Sequence, residues 1–193
     1  KTTTTAMIAW ILNQAGLDPS YIIGSVSKNL GTNAHAGKGE YFVIEADEYD
    51  SMFLGLHPMI AIVTNVEHDH PDCYPTPEKY SQAFLNFLGN LVPHGLVILS
   101  ADNIGAISIR YRLPVNMPVF TYSAHLLKEQ NPNSNQQNAD YVLTLSDDGS
   151  YHLANQEVLH VQKNLLPLKV GVPGVHNIQN AMAASIAAFM AGV

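Results

Sequence analysis

The stretch from Glu40 to Tyr74, EYFVIEADEYDSMFLGLHPMIAIVTNVEHDHPDCY, constrains this chain most. It holds two short apolar runs, residues 41–44 and 59–63. Glu45, Asp47, Glu48 and Asp50 follow the first run. Asn65, Glu67, His68, Asp69, His70 and Asp72 follow the second. An apolar run that stops abruptly at carboxylates and histidines reads as a buried strand delivering ligands at its C-terminal end. In open α/β sheets that edge is where ligands bind. The stretch therefore predicts a divalent-metal and phosphate site on a parallel sheet.

Around it the chain alternates. Residues 2–15 have helical spacing, with Met7, Trp10 and Ile11 on one face and Ile8 and Leu12 beside it, which predicts a largely buried helix. Gly16 follows as a C-cap. Residues 21–24, 40–46, 59–65, 96–100 and 119–122 read as strands, and residues 25–39 and 67–76 as loops. Residues 50–56 form a turn or short helix. Residues 77–91 read as a helix opened by Pro77, with Tyr80, Phe84, Phe87 and Leu88 on one face. Residues 102–111 read as a second one, capped by Ala101 or Asp102. This alternation implies parallel strands joined by right-handed crossovers.

The pattern changes after residue 122. Residues 130–138, QNPNSNQQN, read as a polar surface loop. Residues 139–145, 150–154 and 158–161 alternate, broken by Asp147-Asp148-Gly149 and Asn155, which are hairpin signals. Residues 166–172 form a further strand. Residues 176–191 form a closing helix with Ile178, Ala181, Met182, Ile186 and Phe189 in one stripe. The predicted fold class is α/β: a mostly parallel P-loop-type sheet flanked by helices, with a small antiparallel β extension toward the C-terminal end.

Composition narrows the function. At 193 residues and 47% hydrophobic, the chain suits one domain with a sizeable core. Its net charge of −7 and the absence of a Lys/Arg-rich run leave no electrostatic footprint for nucleic acid. One cysteine, Cys73, excludes an internal disulfide and fits a reducing compartment. No apolar run is long enough to span a bilayer. The expectation is a soluble, cytoplasmic α/β domain.

Lys1-Thr2 followed by a helix is what remains when a P-loop, G-x-x-x-x-G-K-[ST], is cut before its lysine. An ordinary helix start gives the same dipeptide. The run Thr2–Thr5 suits a helix start that needs donors and acceptors. Four acids between positions 45 and 50, directly after a strand, suit Mg²⁺, which takes one or two carboxylates beside substrate phosphates. Solvated turn carboxylates are the alternative. His68 and His70 flank Asp69 without a zinc signature, and imidazole serves Mg²⁺ or Mn²⁺ only as a supplementary ligand. His176, Asn177 and Asn180 open the last helix. Asn177 reads either as an N-cap or, with Asn180, as a carboxamide pair suited to the edge of adenine.

Four motifs stand in one order: K-T-T-T, E-A-D-E-x-D, T-N-x-E-x-D-H-x-D and G-x-H-N-x-x-N-A-x-A-A. Together they resemble the central ATP-binding domain of the Mur ligases of peptidoglycan synthesis, over nearly the whole chain. The alanine-adding branch is the most similar. Sister branches carry a carbamylated lysine in the helix after the D-H motif, where this chain has only Lys79 at the helix start. Tyr49 within E-A-D-E-Y-D is similar also to the murein-tripeptide recycling branch.

The resemblance implies an ATP-dependent ligase that joins L-alanine to UDP-N-acetylmuramate through an acyl phosphate. It implies that Lys1, with Thr2 and Thr3, meets the ATP phosphates. Thr2 and Glu45 hold Mg²⁺ (Mn²⁺ can replace it), and His70 ligates a second ion on the strand neighbouring that of Glu45. Asn65 marks where the sugar carboxylate approaches. His176, Asn177 and Asn180 contact adenine. A preceding sugar-binding domain and a following amino-acid-binding domain are the implied flanking partners of the parent chain. Residues 1–193, lacking the glycine loop before Lys1, are expected to be inactive alone. Other readings are a different Mur-type ligase, or a nucleotide-binding module without ligase chemistry.

Overall fold

A computed structural model describes residues 1–126, 139–145, 150–155 and 166–193. Expectations for residues 130–138, 147–149 and 158–161 fall outside these. The strands are β1 (Ser20–Ile22), β2 (Ala34–His35), β3 (Phe42–Ile44), β4 (Ile60–Val63), β5 (Leu96–Ser100), β6 (Val119–Leu126), β7 (Tyr141–Leu145), β8 (Tyr151–Asn155) and β9 (Leu166–Leu168). The helices are α1 (Thr2–Gln14), α2 (Pro77–Leu88), α3 (Ile104–Arg110) and α4 (Val175–Met190).

A six-stranded sheet runs β4-β5-β6-β7-β8-β9. Pairing is parallel from β4 through β7 and antiparallel from β7 to β9. This is the mostly parallel sheet with an antiparallel extension that the sequence predicts. Period-two alternation explains the layering. Val63, Val97 and Leu99 pack with Phe84, Phe87 and Leu88 of α2 and Ile109 of α3. Ile98 and Tyr122 point the other way, onto Met182 and Ile186 of α4. Full burial of side chains such as Leu88, Ile98 and Leu99, each at 0% exposure, contributes about 1.5–3 kcal/mol apiece.

The helix starts follow local chemistry. Thr76, extended at φ −138°, accepts a bond from Lys79 N at 3.3 Å, and Pro77 fills the first helical position. The α2 helix ends at Leu88 before Gly89, three residues short of the expected end. Neither Ala101 nor Asp102 caps α3. Asn103 does, its Oδ1 accepting from Ala106 N at 2.8 Å.

Three expectations need correction. Residues 25–39 are not all loop, since β2 pairs antiparallel with β1 inside them. The buried face of α1 is Thr4, Thr5, Ala9 and Leu12, while Met7, Trp10 and Ile11 are half-buried. The cause is that α1 packs chiefly against α4, with Thr4 at the contact. Finally, β3 does not neighbour β4. It pairs in parallel with β1 in a separate three-stranded sheet, order β2-β1-β3. Among the described residues β3 and β4 each end their own sheet. A cavity of about 740 Å³ lined by both strands is also lined by Lys1, Glu48 and Asn65. Among the described residues no helix is long and apolar enough to cross a membrane.

Candidate functional site

The site gathers where α1 begins and where the chain leaves β3 and β4. Lys1 is the N-cap residue of α1, with no side-chain cap bond. The free N–H groups of a helix start carry partial positive charge and favour anions. Thr2 Oγ1 donates to Glu45 Oε1 at 2.8 Å. Gly24 N donates to the other oxygen, Oε2, at 2.7 Å. A side chain at position 24 would collide with this carboxylate, because its Cβ would lie 2.8 Å from Oε2. Glu45 is thereby held by the first turn of α1 on one side and the end of β1 on the other.

Three residues on, Glu48 is buried, at 7% exposure. Lys1 Nζ bonds its Oε2, and Asp47 Oδ1 lies 3.7 Å from the same nitrogen. On the far side, Oε1 of Glu48 accepts from Tyr80 Oη at 3.5 Å and faces His70 Nε2 at 3.7 Å. Burial first, and then the Glu48 charge, raises the Tyr80 phenol above its ordinary pKa, so it remains a donor. Tyr74 Oη bonds the Glu48 carbonyl oxygen. In the sequence Glu48 is one of four acids between positions 45 and 50. No local signal separates it from its neighbours, because packing by Tyr74 and Tyr80 is what buries it.

His70 sits in the left-handed region at φ +53°, with its N–H on Asp69 Oδ1 at 2.8 Å. A non-glycine residue there costs of order 1–3 kcal/mol and marks a position fixed by its surroundings. The Tyr49 ring meets the imidazole edge-on, centroids 5.1 Å apart, and Tyr49 Oη donates to Asp72 Oδ2 at 3.2 Å. His68, by contrast, is a structural histidine whose Nε2 pairs with Tyr74 O at 2.7 Å. Asn65 Nδ2 donates to Glu67 Oε1 at 3.1 Å, and both residues line the cavity.

The last helix joins the site through one residue. Thr4 Oγ1 donates to Asn180 Oδ1 at 2.8 Å. Asn177 is not the N-cap: Gly174 is, at φ +102°, and Asn177 Nδ2 donates back to Pro173 O at 2.6 Å. His176 is exposed, its ring lying over Gly174 where a Cβ would approach to 2.6 Å. The structure thus brings Lys1, Glu48 and His70 together, ties Thr2 to Glu45, and links Asn180 to α1. Thr3 is exposed beside them. No bond joins His176 or Asn177 to this group among the described residues.

Among the described residues no three His, Cys, Asp or Glu side chains converge into a ready cage. The Thr2 hydroxyl and Glu45 carboxylate instead place two hard oxygens side by side at a helix start. That arrangement fits a Mg²⁺-type ion completed by phosphate oxygens and waters.

The curated UDP-N-acetylmuramate–L-alanine ligase of Renibacterium salmoninarum is 40% identical over all of this chain, which spans 39% of that relative. The same-named protein of Desulforamulus reducens is 42% identical over 95% of the chain, covering 37% of the relative. The chain therefore spans less than half the length of these relatives. Two solved structures, each 25% identical, match all of it. The UDP-N-acetylmuramate:L-alanyl-γ-D-glutamyl-meso-diaminopimelate ligase of Neisseria meningitides does so at a TM-score of 0.76 over 59% of that chain. The UDP-N-acetylmuramate–alanine ligase of Thermotoga maritima does so at 0.72 over 40% of its chain. The sequence pattern of the Mur ligase middle domain matches residues 1–188, and the chain belongs to that family.

Proposed function

We propose that this chain is the ATP-handling core of a ligase that joins L-alanine to the lactyl carboxylate of UDP-N-acetylmuramate. The carboxylate oxygen attacks the γ-phosphorus of ATP, the bond to ADP breaks, and an acyl phosphate forms. The amine of L-alanine then attacks the acyl carbon and inorganic phosphate leaves. The observation that carries this reading is the junction of Lys1 and Thr2, at a helix N-terminus, with the carboxylates of Glu48 and Glu45.

Each residue has a role in the proposal. Lys1 exchanges Glu48 for the β- and γ-phosphates, and the N–H groups of Thr2 and Thr3 add partial positive charge. Thr2 and Glu45 would hold Mg²⁺, with His70 on a second ion. When bound, the cations offset the repulsion between two anionic reactants. Asn65 orients the sugar carboxylate. Asn180, with His176 and Asn177, lines the adenine side, and its bond to Thr4 sets α4 against the phosphate helix. ATP, Mg²⁺, the UDP-sugar and L-alanine are the proposed small-molecule partners. The proposed location is the cytoplasm, and the proposed neighbours are flanking domains of a longer parent.

One observation favours a second amine. Tyr49 braces His70, and the Neisseria tripeptide ligase shares the fold. The higher identity to the alanine ligases argues for L-alanine.

Assaying the full parent chain that carries residues 1–193 tests both, because the proposed flanking domain, not a host's, then chooses the amine. Phosphate release requiring UDP-N-acetylmuramate and L-alanine supports the first reading. Release requiring UDP-N-acetylmuramate and the tripeptide supports the second. ATP binding without phosphate release under either condition, in the folded parent, would leave a nucleotide-binding module and sink both.

A further inference from the structure

The segment that leaves β4 brings two side chains to the cavity, Asn65 and Glu67, on either side of Val66. Strands β4 and β5 are parallel neighbours, so the chain leaves both at the same end of the sheet. Asn103, which follows β5, lies against residues 65–67 for that reason. Its Oδ1 accepts from Val66 N at 3.1 Å as well as from Ala106 N at 2.8 Å. Its Nδ2 donates to Glu67 Oε1 at 3.3 Å, and the same oxygen takes Asn65 Nδ2 at 3.1 Å. One carboxamide thus caps α3, holds the backbone at Val66 and reaches Asn65 through Glu67.

The two backbones are in close contact as well. A Cβ at position 105 would stand 1.9 Å from Val66 O, so only glycine lets the first turn of α3 approach the segment this closely. On its other side Val66 packs against the core that α2 covers. Asn65 and Glu67 are themselves exposed, so packing does not fix their side chains. Hydrogen bonds do. With one N–H given to Glu67, the Asn65 carboxamide has a second N–H and its oxygen to offer a ligand. Capping α3 needs only an acceptor, which aspartate supplies equally well. The N–H that asparagine adds at position 103 goes to Glu67.

We propose that Asn103 is a positioning residue for Asn65. Through Nδ2 it anchors the Glu67 carboxylate, and that carboxylate fixes the direction in which the Asn65 carboxamide meets the carboxylate of the nucleotide sugar. This rests on the role given to Asn65 above.

Asn103→Asp in the full parent chain tests it. The variant keeps the cap and the bond to Val66 N, and turns the donor into a carboxylate oxygen facing Glu67. Melting temperature and KM for ATP are expected to stay native, while kcat/KM for UDP-N-acetylmuramate falls about 10- to 100-fold, as misplacement of a positioning group can bring. Combined with Asn65→Ala, the loss is expected to be no larger than in Asn65→Ala alone, because both changes act through one carboxamide. Additive losses would place the effect in the new charge and overturn the proposal. Native kcat/KM in folded Asn103→Asp, or an equal loss toward ATP, would do the same. Asn103→Ser, which caps without charge and is too short to reach Glu67, carries the same test if the aspartate variant does not fold. Native kinetics in Asn65→Ala would remove the Asn65 role and this inference with it. A loss there beside native kinetics in the Asn103 variants would remove the inference alone.

Discussion

Thr4 and Asn180 lie 176 positions apart and share a hydrogen bond of 2.8 Å. Through it the first turn of α1 is held on α4, the helix that covers one face of the main sheet. Thr4 is buried, so its hydroxyl has left water for this one partner. Thr4→Val keeps the branched shape and removes the donor. The expected cost is about 1–3 kcal/mol, from an acceptor left unsatisfied. Urea unfolding should show a lower midpoint with an unchanged slope. An unchanged midpoint would mean that Asn180 finds another donor.

Glu45 depends on a glycine outside its own strand. Gly24→Ala would set a methyl group 2.8 Å from Oε2, inside any real contact distance, and force the carboxylate off Thr2. Mn²⁺ affinity of the chain is expected to fall about 10- to 100-fold, the usual loss when the support of a ligand is removed. The far-ultraviolet circular dichroism should stay unchanged, since residue 24 lies beyond the end of β1. Full Mn²⁺ affinity in this variant would exclude Glu45 as a ligand.

These two contacts mark how far the sequence can be read. The inner strand β5 was legible because Val97, Ile98 and Leu99 are buried on both faces, and such a strand is written as an unbroken apolar run. That Glu45 and His70 lie beyond the ends of β3 and β4 was legible because each comes after a short apolar run. Strand β2 was not, since two exposed residues, Ala34 and His35, carry no periodicity. The separation of β3 from β4 was hidden too: an apolar run states that it is buried, not beside which strand. Glu48 is one acid among four until Tyr74 and Tyr80 close over it.

The short β1–β2 ladder carries a pH dependence of its own. The backbone N–H of Lys38, at 2.9 Å, and then the His35 ring, at 3.1 Å, hold the Asp18 carboxyl below the usual aspartate range. The folded pKa is depressed, so the stabilisation is present above the ordinary aspartate value of about 3.9 and is lost as pH falls through the lower folded one. Asp18→Asn is therefore expected to lower the melting temperature slightly near neutrality and not at all in strong acid. Thermal scans of both proteins across that range check it. A gap that persists below pH 2 would place the effect in hydrogen-bond geometry rather than charge.

Asp102 makes the strongest case for a remote residue that holds the fold together. It follows β5, where a cap for α3 was expected, but it turns toward β6 and α4 instead. Its carboxylate accepts from Ser123 Oγ at 2.6 Å, Ala124 N at 2.7 Å and Gln179 Nε2 at 3.0 Å, and it meets His125 Nδ1 at 3.0 Å. Only 3% of its side chain is exposed, and Asn103 is left to cap the helix. Asp102→Ala strands several donors in a dry space. At about 1–3 kcal/mol for each unsatisfied buried group, the loss is expected to reach about 3 kcal/mol or more. Asp102→Asn keeps acceptor oxygen on one side and should lose less. Gln179 lies one residue from Asn180, so the first turns of α4 should exchange amide hydrogen faster in the alanine variant than the rest of that helix. Uniform exchange along α4, with stability near that of the native chain, would show that the carboxylate is accommodated there rather than required.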